Sequence, residues 1–302
     1  MEILQPRLVP LGGLRAMPVR RTLPQRGRTT IGAWCFLDHY GPDRVAQTGG
    51  MEVPPHPHTG LQTASWLFSG AIEHRDSAGH HAQVLPGELN LMTAGRGISH
   101  SERSTPETTT LHGVQLWIAL PEESRFTDPG FEHYAPPQIR SAGWSARVFL
   151  GELLGSRSPV RTHSPLLGAE LRIEAGAELS VQVDPTFEHG VLVDSGALRV
   201  NDELVSPGQL AHLDVGASVI KLAADSPARL ILLGGPPFGE KLVMWWNFVA
   251  RSHEEVQQFW SAWQAEAAGN PPEHPQFGLP AADPAAPLPA PALPNARLQP
   301  RG

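Results

Sequence analysis

Apolar residues along the chain fall in short runs, each closed by Gly, Pro or a Ser-Gly pair, which is the pattern of many strands joined by tight turns. Gly32–Leu37 reads as a buried strand ending at the turn Tyr40-Gly-Pro-Asp43. Leu61–Phe68, Ala71–Arg75, Leu89–Thr93 and Leu111–Leu120 follow as strands, split by Ser69-Gly70, Ser77-Ala-Gly79, Pro86-Gly87 and Pro121-Glu122. Such spacing predicts an antiparallel sandwich or barrel.

A Pro-rich stretch at Pro129–Pro137 closes this first block, and a second strand-rich block runs from Trp144 to Gly235. The blocks echo each other. A strand, a Gly turn, a strand and a Pro-Gly turn occur at Ser69-Gly70 and Leu85-Pro-Gly-Glu88, then again at Val191–Gly196 and Val205-Ser-Pro-Gly-Gln209, as a duplicated barrel would give. Beyond the apolar run Lys241–Phe248, Ser252 and Glu255 form a capping box. Val256, Phe259, Trp260 and Trp263 then make one apolar stripe, which predicts a helix over 252–268 packed on a barrel wall and stopped by Gly269. We therefore divide the chain at 1–137, 138–270 and 271–302. The last segment is a Pro/Ala tail too poor in large apolar groups to offset its ordering entropy, and disorder is expected there.

Composition narrows the chemistry. Of 302 residues, 30 are Gly and 31 Pro, which disfavours a helical bundle. The single cysteine, Cys35, excludes an intrachain disulfide and any Cys-rich metal site, so a metal must be held by His and carboxylates. The net charge of -7, with Lys221 and Lys241 as the only lysines, argues against direct nucleic-acid binding. No apolar run reaches the roughly 18 residues that cross a bilayer, and Pro and Gly interrupt the N-terminus where a signal peptide has its apolar core; a cytoplasmic monomer away from membranes is expected.

The 14 histidines are the composition feature worth following. In a strand, alternate side chains share a face roughly 6.6 to 7 Å apart, so His56 and His58 point one way, as do His100 and Glu102. Two such pairs on neighbouring strands can converge on one divalent ion and leave one or two positions open, as catalytic metal sites do. His80, His81 and His112 read as surface or wall residues, and in the second block His189 and His212 stand alone, so one metal is expected, in the first block.

At these residues the sequence resembles a known family. His56-Pro-His-Thr-Gly-Leu-Gln62, Glu73-His-Arg-Asp-Ser77 and Met92-Thr-Ala-Gly-Arg-Gly-Ile-Ser-His-Ser-Glu102 are similar to the pirin family of the cupin superfamily. The likeness extends to Trp34-Cys-Phe-Leu-Asp-His39 and Met244-Trp-Trp-Asn-Phe-Val249, and so covers residues 15 to 265. It implies an all-β fold of two cupin-type barrels, with His56, His58, His100 and Glu102 as iron ligands of the N-terminal one. The family usually carries Glu where this chain has Gln62; if position 62 acts as a base or orients His58, that role is weakened here.

The resemblance and the open site agree on flavonol 2,3(2,4)-dioxygenase chemistry of the quercetinase type, with Fe(II), dioxygen and an enolic or phenolic substrate. Glu102 would be both ligand and catalytic base. Donor type alone also accepts Zn, Mn, Ni or Cu. The alternative is a non-catalytic, redox-responsive iron protein that binds a protein partner such as a transcription factor or metabolic enzyme. Arg96 reads either as an anion-steering group or as a structural arginine.

Overall fold

The computed structural model describes residues 1–11 and 17–302, so Arg15 and Ala16, at the edge of the resemblance, lie outside the described residues. Each block folds as a seven-stranded antiparallel sheet with a four-stranded partner. In the first, the large sheet runs Gly130–Tyr134, Leu89–Thr93, Leu61–Ser69, Thr110–Ala119, Trp34–Arg44, Pro18–Leu23 and Arg7–Pro10, and the small one Glu52–His58, Ile98–Ser104, Ile72–Asp76 and His81–Val84. The second repeats the plan. Its large sheet orders Glu2–Leu4, Leu210–Leu213, Glu188–Ser195, Ala228–Gly235, Leu167–Ile173, Trp144–Leu150 and Ile139–Ser141, beside a small sheet centred on Val219–Ala224.

The echo seen in the sequence is structural. Gly70 and Gly196 end corresponding strands in the left-handed region, at φ 81° and 80°, where a side chain would be strained. The Pro-Gly turns then return in the same way, with the Gly87 amide donating to Leu67 O and the Gly208 amide to Val193 O. One strand crosses between blocks: Glu2–Leu4, which the sequence division places in the first domain, pairs with Leu210–His212 of the second.

The two large sheets pack face to face. Ala64, Trp66 and Phe68 alternate toward the second barrel and share a buried apolar layer with Phe149, Leu166, Leu192, Ile231 and Leu233. Trp66 Nε1 donates to Glu170 at 2.8 Å, and Trp34 Nε1 donates to the carbonyls of Leu167 and Gly234, so the buried indoles are satisfied. Ser65, of opposite parity, turns into the first barrel, where its hydroxyl meets Gln115 and Glu102.

Three expectations need correction. The strand beginning at Trp34 does not end at Tyr40 but continues to Arg44, because Gly41-Pro42 form a bulge opposite the single residue His112 of Thr110–Ala119 and pairing resumes at Asp43. The helix forms at His253–Ala267 with the Ser252 hydroxyl accepting the Glu255 amide, but Val256, Phe259 and Trp263 are covered by the hairpin Val243–Ala250 and by the tail rather than by a barrel wall alone.

The tail itself is packed, not disordered. Phe277 and Ala290 are buried in that cluster, Trp263 Nε1 donates to Leu288 O, and the buried Glu266 carboxylate accepts the amides of Gln276, Phe277 and Gly278. Backbone hydrogen bonds and a few anchoring residues supply what the tail's composition lacks.

Candidate metal centre

Two strands of the small sheet bring His56, His58 and His100 into one group, while Glu102 groups with His100 and His74 and not with His56 and His58. In their register His100 lies opposite His56 and Ile98 opposite His58, and the pairing shifts before Glu102, where Pro54-Pro55 bulge opposite the single residue Ser101. The ring centroids of His56, His58 and His100 lie 4.4 to 5.0 Å apart, and all three rings are buried. The carboxylate of Glu102 joins a second cluster with His100 and His74, and Ser65 Oγ donates to its Oε1 at 3.4 Å.

Backbone carbonyls settle which nitrogen each ring presents. His56 Nδ1 lies 2.9 Å from Pro54 O and His58 Nδ1 3.2 Å from Asn247 O; a carbonyl only accepts, so both Nδ1 atoms carry the proton and both Nε2 atoms keep a lone pair. The Nε2 atoms of His58 and His100 are 3.1 Å apart. The Asp76 carboxylate accepts from His74 Nε2, so the neutral His74 ring accepts at Nδ1 from His100 Nδ1 and leaves His100 Nε2 a lone pair as well; lone pairs at that distance repel unless a cation lies among them, so this donor set fits a divalent ion.

Burial keeps the imidazoles neutral. Desolvation lowers His56 to about 4 and takes His58 and His100 well below the usual histidine value, while it raises Glu102 from its ordinary value. The site is walled on one side by aromatics. His58 meets Trp117 edge-on at 5.2 Å, and Trp117 stacks on Phe36 at 4.0 Å.

The carbonyl that orients His58 comes from the hairpin turn at Trp246-Asn247. Trp246 sits at φ 50°, a conformation that costs a bulky residue on the order of 1–3 kcal/mol and is tolerated here because the surrounding hairpin holds it. The hairpin lies against Gly60 so closely that a Cβ there would stand 2.2 Å from Val249 O. The glycine of His58-Thr-Gly60 is thus required by the approach that delivers Asn247.

Gln62 does not orient His58. It shares strand parity with Ala64 and Trp66, and its Nε2 donates to Thr93 Oγ1 at 3.0 Å. Arg96 is ion-paired with Asp128 at the surface, the structural reading. His80 and His81 bond to Asp76 and Glu73.

Sequence reasoning missed two features. One is His74, buried beside His100; the i, i+2 pair His74 and Asp76 carried the same strand signal as the predicted ligands. The other is the buried cluster His39, His112 and Asp194 between the barrels, assembled from positions 73 and 155 residues apart. There Arg20 and Arg229 donate to the two Nδ1 atoms, so each Nε2 carries a proton and donates to Asp194, the reverse of the tautomers at the candidate centre. In the second barrel, Glu188, His212 and Asp214 form a further group with an exposed Asp214.

Comparison with known proteins now adds the decisive observation: the Pirin family matches residues 16–118 and the Pirin C-terminal cupin domain matches residues 168–269. The chain belongs to the pirin family. A Pseudomonas aeruginosa member named "Putative quercetin 2,3-dioxygenase" is 44% identical over 259 residues, spanning 85% of this chain and 82% of that protein. Human pirin is 30% identical over 250 residues, 80% of this chain and 84% of its own length. A crystal structure of quercetin 2,3-dioxygenase from Acinetobacter baumannii superposes with a TM-score of 0.91 at 36% identity, covering 99% of this chain and 97% of that one. This pirin is therefore a two-domain cupin with a histidine-rich candidate site for a divalent metal. Among its described residues no helix is long and apolar enough to cross a membrane.

Proposed function

We propose that this pirin is a metal-dependent dioxygenase of the flavonol 2,3(2,4) type, with His56, His58, His100 and Glu102 holding Fe(II). The observation that carries the reading is the convergence of unprotonated Nε2 atoms, set in His56 and His58 by the carbonyls of Pro54 and Asn247 and in His100 by His74. The names of the Pseudomonas and Acinetobacter relatives support the same chemistry. When bound, the iron would supply Lewis acidity toward an enolate and the redox chemistry that dioxygen requires.

The residues select the substrate class by charge. Three neutral imidazoles and one carboxylate leave a divalent ion with one net positive charge, which favours an anionic oxygen chelator such as a deprotonated flavonol. Glu102, whose proton affinity is raised by burial, accepts the substrate hydroxyl proton at its carboxylate. Trp117 and Phe36 keep water from the His58 side of the site.

The test is anaerobic reconstitution with Fe(II), then admission of air with quercetin, following the flavonol absorbance beside a His56→Ala control. Bleaching that needs both iron and His56 is expected. Absence of bleaching at stoichiometric iron would sink the dioxygenase reading and leave a non-catalytic iron protein that acts through a partner.

A further inference from the structure

Behind His100 a second row of polar groups leads from the metal-facing ring toward the surface. The strands Ile98–Ser104 and Ile72–Asp76 pair so that Asp76 lies opposite His100 and His74 opposite Glu102. The Asp76 carboxylate only accepts, so His74 Nε2, 3.2 Å from its Oδ2, carries the proton and the Nδ1 of that neutral ring keeps a lone pair, 3.3 Å from His100 Nδ1. His100 therefore donates from Nδ1 to His74 and turns an unprotonated Nε2 toward His58. The direction of every bond in the row follows from the first.

Asp76 is itself fixed. Its Oδ1 accepts the amides of Ala78 and His80 at 3.0 Å each, and the partly exposed His80 ring lies 3.0 Å from Oδ2. Phe131 packs on the rings of both His74 and His80, at 5.0 and 5.3 Å, which keeps the row in line. A buried histidine that needed only a partner would be satisfied by Asp76 alone. Here it also touches a proposed metal ligand at the nitrogen that sets that ligand's tautomer.

We propose that His74 and Asp76 are positioning residues for the metal: the carboxylate, acting through His74, locks His100 with its proton on Nδ1 and its Nε2 lone pair on the ion. This rests on the metal centre proposed above. His56 and His58 are oriented by neutral carbonyls, so His100 is the one imidazole of the three backed by an anion. An imidazole so backed is the more basic donor and stabilises the higher oxidation state of iron.

The experiment titrates apo protein with Co(II) alone, anaerobically, for wild type, His74→Phe and Asp76→Asn, and records the ligand-field spectrum and the thermal melt of each. His74→Phe keeps an aromatic ring against Phe131 and decides the matter alone if Asp76→Asn, which loosens the turn to His80, fails to fold. Wild type is expected to bind one Co(II) per chain, and the folded variants to bind about 10- to 100-fold more weakly with shifted ligand-field bands. The Fe(III)/Fe(II) midpoint potential is expected to rise in Asp76→Asn. Wild-type affinity, spectrum and potential in the folded variants would overturn the positioning role and leave the metal centre standing, whereas a wild type that binds no Co(II) would remove the centre and the role together.

Discussion

Two backbone carbonyls decide the chemistry of individual side chains at this site, because Pro54 and Asn247 fix the tautomers of His56 and His58 before any ion arrives. The residue with two assigned duties is Glu102, proposed ligand and proton acceptor. Glu102→Gln is expected to lower turnover of a flavonol by about 100-fold or more while iron content, measured by elemental analysis, stays near one per chain. Retained metal with full turnover would reject the base. The proposed ligands could be singled out in the sequence because strand geometry puts residues i and i+2 on one face, and His56/His58 and His100/Glu102 both follow that rule. His74/Asp76 obeys it too and passed unnoticed, since no further cluster drew attention to it. Asn247 acts through its main chain, which no side-chain pattern can announce.

Strands were placed well wherever a turn closed them, as at Leu89–Thr93, and poorly where the neighbouring strand carried the chain through the breaker, as at Gly41-Pro42. The helix was legible from its cap and stripe, but its cover was not. Val256, Phe259 and Trp263 pack on the hairpin and on tail residues whose composition alone reads as disordered. Trp263 is fully buried with its indole bonded to Leu288 O, so Trp263→Ala is expected to cost about 3–5 kcal/mol in a denaturant unfolding measurement. The tail also braces, from outside, the sheet that carries the proposed ligands. Ser99, Ser101 and Arg103 alternate with His100 and Glu102 and point the other way, holding Gly278 O and the Asp283 carboxylate. Deleting residues 271–302 is expected to lower the melting temperature; an unchanged melt would show that the packed tail contributes nothing to stability.

Across the whole molecule, the two barrels are joined by an apolar layer with one buried charged cluster set beside it. Burial alone would raise the Asp194 carboxyl, but hydrogen bonds from His112 and His39 and the Arg229 guanidinium outweigh it and hold Asp194 far below the usual range. A carboxyl depressed in the folded state contributes stability that is present above its unfolded value of about 3.9 and is lost as pH falls through and below it. Acid unfolding should therefore steepen below about pH 4, and Asp194→Asn should flatten that dependence while destabilising the neutral protein by about 3–5 kcal/mol, read from urea unfolding across pH. The duplicated architecture was legible because matching turns recur, whereas this cluster was not, since its members meet only once the barrels dock. The account turns on the ion itself, and the most direct test is X-ray absorption at the iron edge of the Fe(II)-loaded chain. Outer-shell scattering from three imidazoles together with carboxylate oxygen is predicted; fewer than three imidazoles, or a chain that retains no iron, would contradict it.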